Sequence, residues 1–229
     1  MLEDIAAIAA PYVYPLQSAI ISYPALPALY QEDIADAAFY RGIDLLPSMG
    51  WCYEQPWELV AAYAGHGLGL CKNYDDAAKC LEEEEKLPKR EVVLFEYTET
   101  ALLLHATPLS KVWVDTEVPP KVATSFDMGS AHNVSETRIR DFVLGFMRDK
   151  IGCWEGTYPF HCPEKVTVIM TGNPASYSDG IAEKAIVRAI RMFGSEPELF
   201  SSKHDYVAAR GAAEMTSRAF RPHNKLCEF

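Results

Sequence analysis

The sequence predicts an α/β protein, a mixed sheet flanked by helices, and three observations lead to this fold class. A short apolar run with β-branched residues, Val166–Met170, is closed by Gly172, as is typical of a strand buried on both faces. Apolar residues then recur at helical spacing over Ile181–Phe193, and Gly194 ends the pattern. Earlier in the chain, the segment 92–105 predicts two strands around a turn.

The N-terminal elements fit a parallel α/β unit. A short apolar strand is expected over Ser18–Tyr23, a helix over Pro27–Arg41 and a second strand over Ile43–Leu46. Pro56 then fits the first turn of another helix, which continues to the glycines after Tyr63.

The remaining elements follow the same reasoning from periodicity. Alternation over Lys111–Val118 predicts an antiparallel strand with one solvated face, and Lys121–Phe126 is a further strand candidate. Ser135–Ile151 has the pattern of an amphipathic helix. The closing helix, Tyr206–Phe220, is rich in small residues that let helix backbones approach closely.

The amino-acid composition argues against several kinds of binding partner and cellular location. A net charge of −11 over 229 residues argues against nucleic acid and anionic membranes as partners. No apolar run approaches the roughly 20 residues of a membrane span, and the acidic start lacks the basic region of a secretory signal. We therefore expect a cytoplasmic protein without a membrane span.

The cysteines and the acidic run predict no metal site. Six cysteines are scattered without a C-x-x-C pair, so we expect reduced thiols. The run Glu82–Glu85 is typical of a solvated helix end.

Three segments resemble the actin-like ATPase fold, and most closely the Hsp70-like proteins of filamentous fungi. TGNPAS (171–176) stands where that family has its adenosine-contacting turn, and HDYVAARGAAEMTSRAF (204–220) resembles the closing helix. EQPWELVAAYAG (54–65) is similar to the family's E-P-x-A-A-A-x-A-Y-G helix. The resemblance implies a truncated actin-like ATPase (ribonuclease-H-like) fold. Residues 1–90 would be a remnant of the first lobe, and 91–229 a second lobe with a shortened outer subdomain.

The motifs that would bind phosphate in this family have no counterpart here. We expect the first glycine-rich hairpin to be missing, and the second, D-x-G-G-G-T, corresponds to Glu96-Tyr97-Thr98-Glu99-Thr100. Only glycine permits the tight turn and the close approach to phosphate. The Glu99 carboxylate would also repel a phosphate. We therefore expect no ATPase activity and no cofactor.

A vacated nucleotide cleft could instead bind an apolar small molecule. The turns that would face it supply seven candidate substrate-binding residues: Trp51, Trp57, Tyr63, Glu96, Trp113, Thr171 and Gly172. Three further side chains could polarise a substrate carbonyl and are the catalytic candidates: Tyr97, His105 and Asn173.

Two hypotheses of function follow from these residues. No nucleophile pattern is visible, so the chemistry would be the folding of a flexible substrate into a reactive shape. The resemblance then implies a cofactor-free cyclase of Diels–Alder type acting on an apolar terpenoid, similar to the norbornene-forming cyclases of sordarin-type diterpene pathways. The alternative is a non-catalytic Hsp70-like pseudo-ATPase that binds a protein partner. In either case, surface exposed by the truncation could form a homodimer.

Overall fold

The computed structural model describes residues 17–46, 55–112, 121–151, 162–202 and 205–219. In chain order its strands and helices are β1 (Ser18–Ala19), α1 (Gln31–Tyr40), β2 (Asp44–Leu45), α2 (Glu58–Gly65), α3 (Ala77–Glu85), β3 (Arg90–Tyr97), β4 (Leu102–Leu109), β5 (Lys121–Ser125), α4 (Glu136–Phe146), β6 (Lys165–Gly172), α5 (Ile181–Phe193), β7 (Glu196–Phe200) and α6 (Val207–Ala219). The α/β class predicted from sequence is confirmed.

A five-stranded mixed sheet in the order β5-β4-β3-β6-β7 forms the centre of the described chain. β3, β4 and β5 are an antiparallel meander, whereas β6 pairs parallel with β3, and β7 pairs parallel with β6. The predicted pair of strands around a turn is confirmed as β3 and β4. The register places Leu94 opposite His105, and Glu96 between Leu103 and Thr171.

One face of the sheet is covered by α4 and α5. Alternate residues of β3 (Val93, Phe95) and of β6 (Val166, Val168) point into this layer and belong to one buried apolar cluster. The apolar stripe of α5 completes the cluster, and this helix has the bounds that its periodicity predicted.

The opposite face is covered by α2 and α6, whose backbones touch. A Cβ atom added to Gly211 would lie 1.7 Å from the carbonyl oxygen of Ala61, and one added to Gly65 would lie 2.0 Å from that of Val207. The small residues of α6 therefore permit the close helix packing that the sequence predicted.

The N-terminal unit is attached at the start of α2. β1 and β2 form a two-stranded parallel sheet, and Tyr23 makes a parallel bridge to Trp57. Gln55 joins the two ends of this unit, because its side chain accepts from the Ile21 amide (2.7 Å) and donates to the Leu46 carbonyl (3.0 Å). Trp57 is thereby fixed beside the large sheet.

Several elements predicted from the sequence are shorter in the structure. The strand predicted over Ser18–Tyr23 is regular only at β1, and the first helix begins at Gln31, where Asp33 accepts from the Tyr30 amide at 2.7 Å. α4 ends at Phe146, and Met147–Ile151 continues as a π-helical turn. The predicted strand Lys111–Val118 falls mostly outside the described residues.

The expectation of reduced thiols was wrong. Cys71 and Cys80 form a disulfide with their Cα atoms 5.2 Å apart, and Cys162 is also disulfide-bonded. The Cys71–Cys80 pairing depends on where α3 begins. The Asp76 side chain accepts a hydrogen bond from the Lys79 amide and so caps the start of this helix. The helix then turns Cys80 back towards Cys71.

Candidate active site

Two carboxyl groups meet where β3 ends and α2 begins. Glu96 shares a strand face with Val92 and Leu94, which pack in the apolar cluster beneath α2 and α6. Glu58 is the first residue of α2, and its carboxyl lies within hydrogen-bonding reach of both Glu96 and the Thr171 hydroxyl. Neighbouring strands and one helix end therefore build the pair.

The pair keeps a proton at neutral pH. Burial raises the pKa of Glu58. Burial, and next the nearby charge of Glu58, raise the pKa of Glu96 to about 8. Two like charges so close cannot both ionise readily, so one carboxyl is a neutral acid while its neighbour accepts a hydrogen bond.

His105 adds a neutral imidazole on the same face. Its side chain is 3% exposed, and burial lowers its pKa to about 4. Trp57 packs edge-on against it, with the ring centroids 5.6 Å apart. An uncharged imidazole beside an indole makes this wall of the site polar but not ionic.

Buried polar atoms without a hydrogen-bond partner gather here. Among the described residues they include Glu96 Oε2 and both ring nitrogens of His105. Proteins seldom leave such atoms unsatisfied, because each one costs about 1–3 kcal/mol of stability. Together with the carboxyl pair on the same sheet face, these atoms mark this place as the candidate active site.

The structure brings together only part of the residue set predicted from sequence. Trp57, Glu96, His105 and Thr171 share this sheet face, and Tyr63 is buried in α2 above the same face. Tyr97 points to the opposite face, where its ring lies 5.7 Å from that of Tyr177. Trp51 and Trp113 lie outside the described residues.

Gly172 and Asn173 join β6 to the β3–β4 turn. Gly172 has φ +113°, and a Cβ atom there would lie 2.3 Å from the Tyr97 carbonyl oxygen. The backbone N–H of Asn173 donates a hydrogen bond to the Tyr97 carbonyl (3.2 Å), and its side-chain amide donates one to Glu99 Oε1 (3.3 Å). The side chain of this predicted catalytic residue is therefore engaged by the turn.

Glu58 was missed by reasoning from sequence. A signal was present, since the residues after Glu58 in α2 are almost all apolar, so the helix is buried nearly all round. A carboxyl at the first position of such a helix has to face the sheet or a cleft.

No known protein-family model matches the sequence, and no curated protein is significantly similar to it. Within the described ranges, no helix combines the length and apolar character needed to cross a bilayer. Function therefore has to be inferred from the side chains around the carboxyl pair.

Proposed function

We propose that this protein is a cofactor-independent cyclase of Diels–Alder type, with an apolar terpenoid or related natural product as its substrate. The protonated member of the Glu58–Glu96 pair donates a hydrogen bond to a carbonyl oxygen of the substrate. The observation that carries the proposal is the Glu96 carboxyl, whose pKa of about 8 keeps it neutral at physiological pH.

A neutral, half-buried acid suits this chemistry. A cycloaddition forms two carbon–carbon bonds without a nucleophile and without net proton transfer, so the protein has only to fold the substrate and polarise it. Holding the reacting ends together lowers the entropic part of the barrier. One preorganised donor aimed at a carbonyl contributes about 3 kcal/mol.

The neighbouring groups have matching roles in this proposal. In the absence of substrate Glu58 accepts the hydrogen bond of the Glu96 carboxyl, and the substrate carbonyl replaces Glu58 as the acceptor. The Thr171 hydroxyl lies within hydrogen-bonding reach of Glu58 and helps to hold it in place. Trp57 and the neutral His105 offer a surface on which an apolar chain can lie.

An actin-like ATPase fold, with residues 1–90 and 91–229 as parts of its two lobes, belongs to the same proposal. It is supported by the mixed sheet of an antiparallel meander plus two parallel strands, and by the close packing of α2 against α6. The hydrogen bond from Asn173 to Glu99 joins the two turns that would flank a nucleotide in that family. This link and the Glu99 charge support the loss of ATP binding.

Location is a separate part of the proposal. The cytoplasm stays a prediction from sequence, and the Cys71–Cys80 disulfide favours an oxidising compartment.

An assay on a linear terpenoid that carries a diene and an unsaturated aldehyde tests the cyclase. We expect cyclised product from the wild type, a fall of about 100-fold in kcat for Glu96→Gln, and loss of activity above about pH 8 as the acid ionises. Glu91→Gln is the matched control, because Glu91 is a half-buried carboxyl with a raised pKa at the far end of β3. The absence of product across a panel of such substrates, or full activity in Glu96→Gln, would refute the proposal.

Exposed aromatic residues on α1 and at its N-cap favour a second candidate function, the non-catalytic binding of a protein partner or a second copy. Phe39 is 86% exposed, Tyr40 85% and Tyr30 63%. Light scattering on the wild type and on a Phe39→Ser/Tyr40→Ser variant tests whether a second copy binds to these aromatic residues. A dimer that the variant abolishes supports the interaction surface, and a monomer in both cases removes the homodimer.

A further inference from the structure

Two sulfur atoms and one carboxylate meet beside α3, away from the carboxyl pair. Cys71 Sγ, Cys80 Sγ and a Glu84 carboxylate oxygen all lie within 4.8 Å of one another. Cys71 and Glu84 are buried, at 2% and 7% exposure. The spacing from Cys80 to Glu84 is one helical turn, so both side chains project from the same face of α3.

We propose that this cluster is a redox-gated metal site, which binds a thiophilic divalent cation of the zinc class once the Cys71–Cys80 disulfide is reduced. Two thiolates and one carboxylate are ligands that zinc prefers, and a fourth position remains for water. The disulfide and the bound cation exclude each other, because both use the same two sulfur atoms.

The contact between Cys80 and Glu84 places a carboxylate oxygen beside one of the two sulfur atoms. Cys80 Sγ lies 3.1 Å from Glu84 Oε1. In the disulfide the sulfur has no proton to donate, so this contact is not a hydrogen bond. After reduction the thiol can donate its proton to the carboxylate, or both atoms can bind one cation.

The charges around the cluster also suit a cation with thiolate ligands. Two thiolates and the Glu84 carboxylate carry three negative charges, of which a divalent cation neutralises two. The guanidinium of Arg218, which also pairs with Glu214 Oε2 at 3.6 Å, lies beside the cluster. Arg218 Nη1 donates to the Cys71 carbonyl at 2.6 Å and lies 3.9 Å from Cys71 Sγ. Its guanidinium stacks over the Tyr74 ring, 4.7 Å from the ring centroid, which holds this charge in place.

The loop that carries Cys71 is fixed independently of the disulfide. Glu83 accepts hydrogen bonds from the amides of Lys72 (2.5 Å) and Asn73 (3.2 Å). Reduction therefore leaves Cys71 close to α3, where the cysteine side chains have only to rotate to bind a cation.

Reduction of the disulfide requires a two-electron reductant, for which a small thiol suffices. Two molecules of a small thiol reduce the disulfide to two protein thiols and leave as one small-molecule disulfide. Binding of the cation then releases the two thiol protons to solvent.

Cobalt(II) is the probe, because thiolate ligation produces a charge-transfer absorption band. The full-length protein is reduced with a phosphine, which becomes the phosphine oxide while water supplies the two thiol protons, and is then titrated with cobalt(II) without oxygen. We expect the band in reduced protein, no band in oxidised protein, and loss of the band in Cys71→Ser/Cys80→Ser. Glu84→Gln should weaken cobalt affinity at least about tenfold.

Glu82→Gln is the matched control, because Glu82 lies on the same helix but is exposed, and it should bind cobalt as the wild type does. Glu84→Gln retains both cysteines, and its circular dichroism spectrum shows whether it folds. A band that survives Cys71→Ser/Cys80→Ser would place the metal on other cysteines and overturn the proposal. Equal affinity in folded Glu84→Gln and wild type would overturn it as well.

Discussion

The two faces of the central sheet use the same strands but have opposite chemistry. Towards α4 and α5, the middle of the strands presents apolar and aromatic side chains, such as Phe95, Tyr97 and Met170, and the charged residues Glu91 and Lys121 lie at one end of this face. Towards α2 and α6, the carboxyl ends of β3 and β6 present Glu96 and Thr171, and β4 presents His105. Each of these polar residues is adjacent in sequence to a residue of the apolar cluster on the other face.

This difference separates a face built for stability from a face that retains polar groups at a cost in stability. The apolar face contains no ionisable group among its buried cluster residues except the Tyr97 phenol. The polar face keeps a proton on a carboxyl pair and a neutral histidine, and such shifted pKa values are typical of functional sites. Variants of the two faces should therefore behave differently.

The largest expected effect lies on the apolar face. Phe95→Ala should lower the free energy of unfolding by about 3–5 kcal/mol, because it leaves a cavity beneath α4 and α5. Urea denaturation measures the loss. Phe126→Ala, at a residue 70% exposed, is the control and should change the free energy by less than about 0.5 kcal/mol. Equal effects of the two variants would show that the cluster is not the core.

Gly211→Ala tests the helix contact above the polar face. The added methyl group would collide with the Ala61 carbonyl, so α6 has to shift, at a cost of about 2–3 kcal/mol. Gly145→Ala in α4 meets nothing within 4 Å and should instead stabilise the protein by about 0.5–1 kcal/mol. Thermal unfolding of both variants checks this pair, and a neutral Gly211→Ala would show that the two helices do not touch.

The polar face should also set the pH dependence of stability. Glu96 ordinarily titrates near 4.5 and here near 8, so the native state binds its proton more tightly and stability falls as pH rises between these values. The pKa of His105 is ordinarily near 6.5 and here near 4, so the native state binds a proton on this histidine less tightly than the unfolded state does. Stability therefore falls as pH drops between these values.

The two slopes oppose each other between about pH 4.5 and 6.5, so we expect Glu96 and His105 together to change stability less there than at higher pH. From pH 6.5 to 8 only the Glu96 slope remains, and stability should fall by about 1–2 kcal/mol. Glu96→Gln should abolish this fall, whereas His105→Phe should retain it. Urea unfolding at a series of pH values tests this, and an unchanged profile in Glu96→Gln would contradict the assignment.

The smallest effect is expected at the surface of the apolar layer. Arg188 and Glu136 form an ion pair of 2.5 Å between α5 and α4, with the Arg188 side chain 65% exposed. Solvent screens such a pair, so Arg188→Ala should cost no more than about 0.5 kcal/mol. A larger loss in urea denaturation would mean that this layer depends on charge as well as on apolar packing.

The sequence was informative wherever periodicity alone decides the structure. The β3–β4 pair and α5 were predicted because apolar residues recur at strand or helix spacing. Which face a strand residue occupies depends on register, and a shift of one residue exchanges the faces. Tyr97 was therefore grouped with His105 although the two lie on opposite sides of the sheet.

Contacts between distant segments could not be predicted in the same way. Glu58 gains its role only because α2 begins beside Glu96, and no local pattern encodes that meeting. The disulfide likewise depends on the turn that brings Cys80 back to Cys71.

Infrared difference spectroscopy of Glu96→Gln against the wild type, recorded through a pH titration, tests the central claim most directly. A protonated carboxyl has a carbonyl stretching band that a carboxylate lacks. We expect the wild type to show this band at pH 7 and to lose it near pH 8, Glu96→Gln to lack it, and Glu91→Gln to keep it. If the wild type has no such band at pH 7, or if Glu96→Gln leaves it unchanged, Glu96 is not the neutral acid on which the proposed function rests.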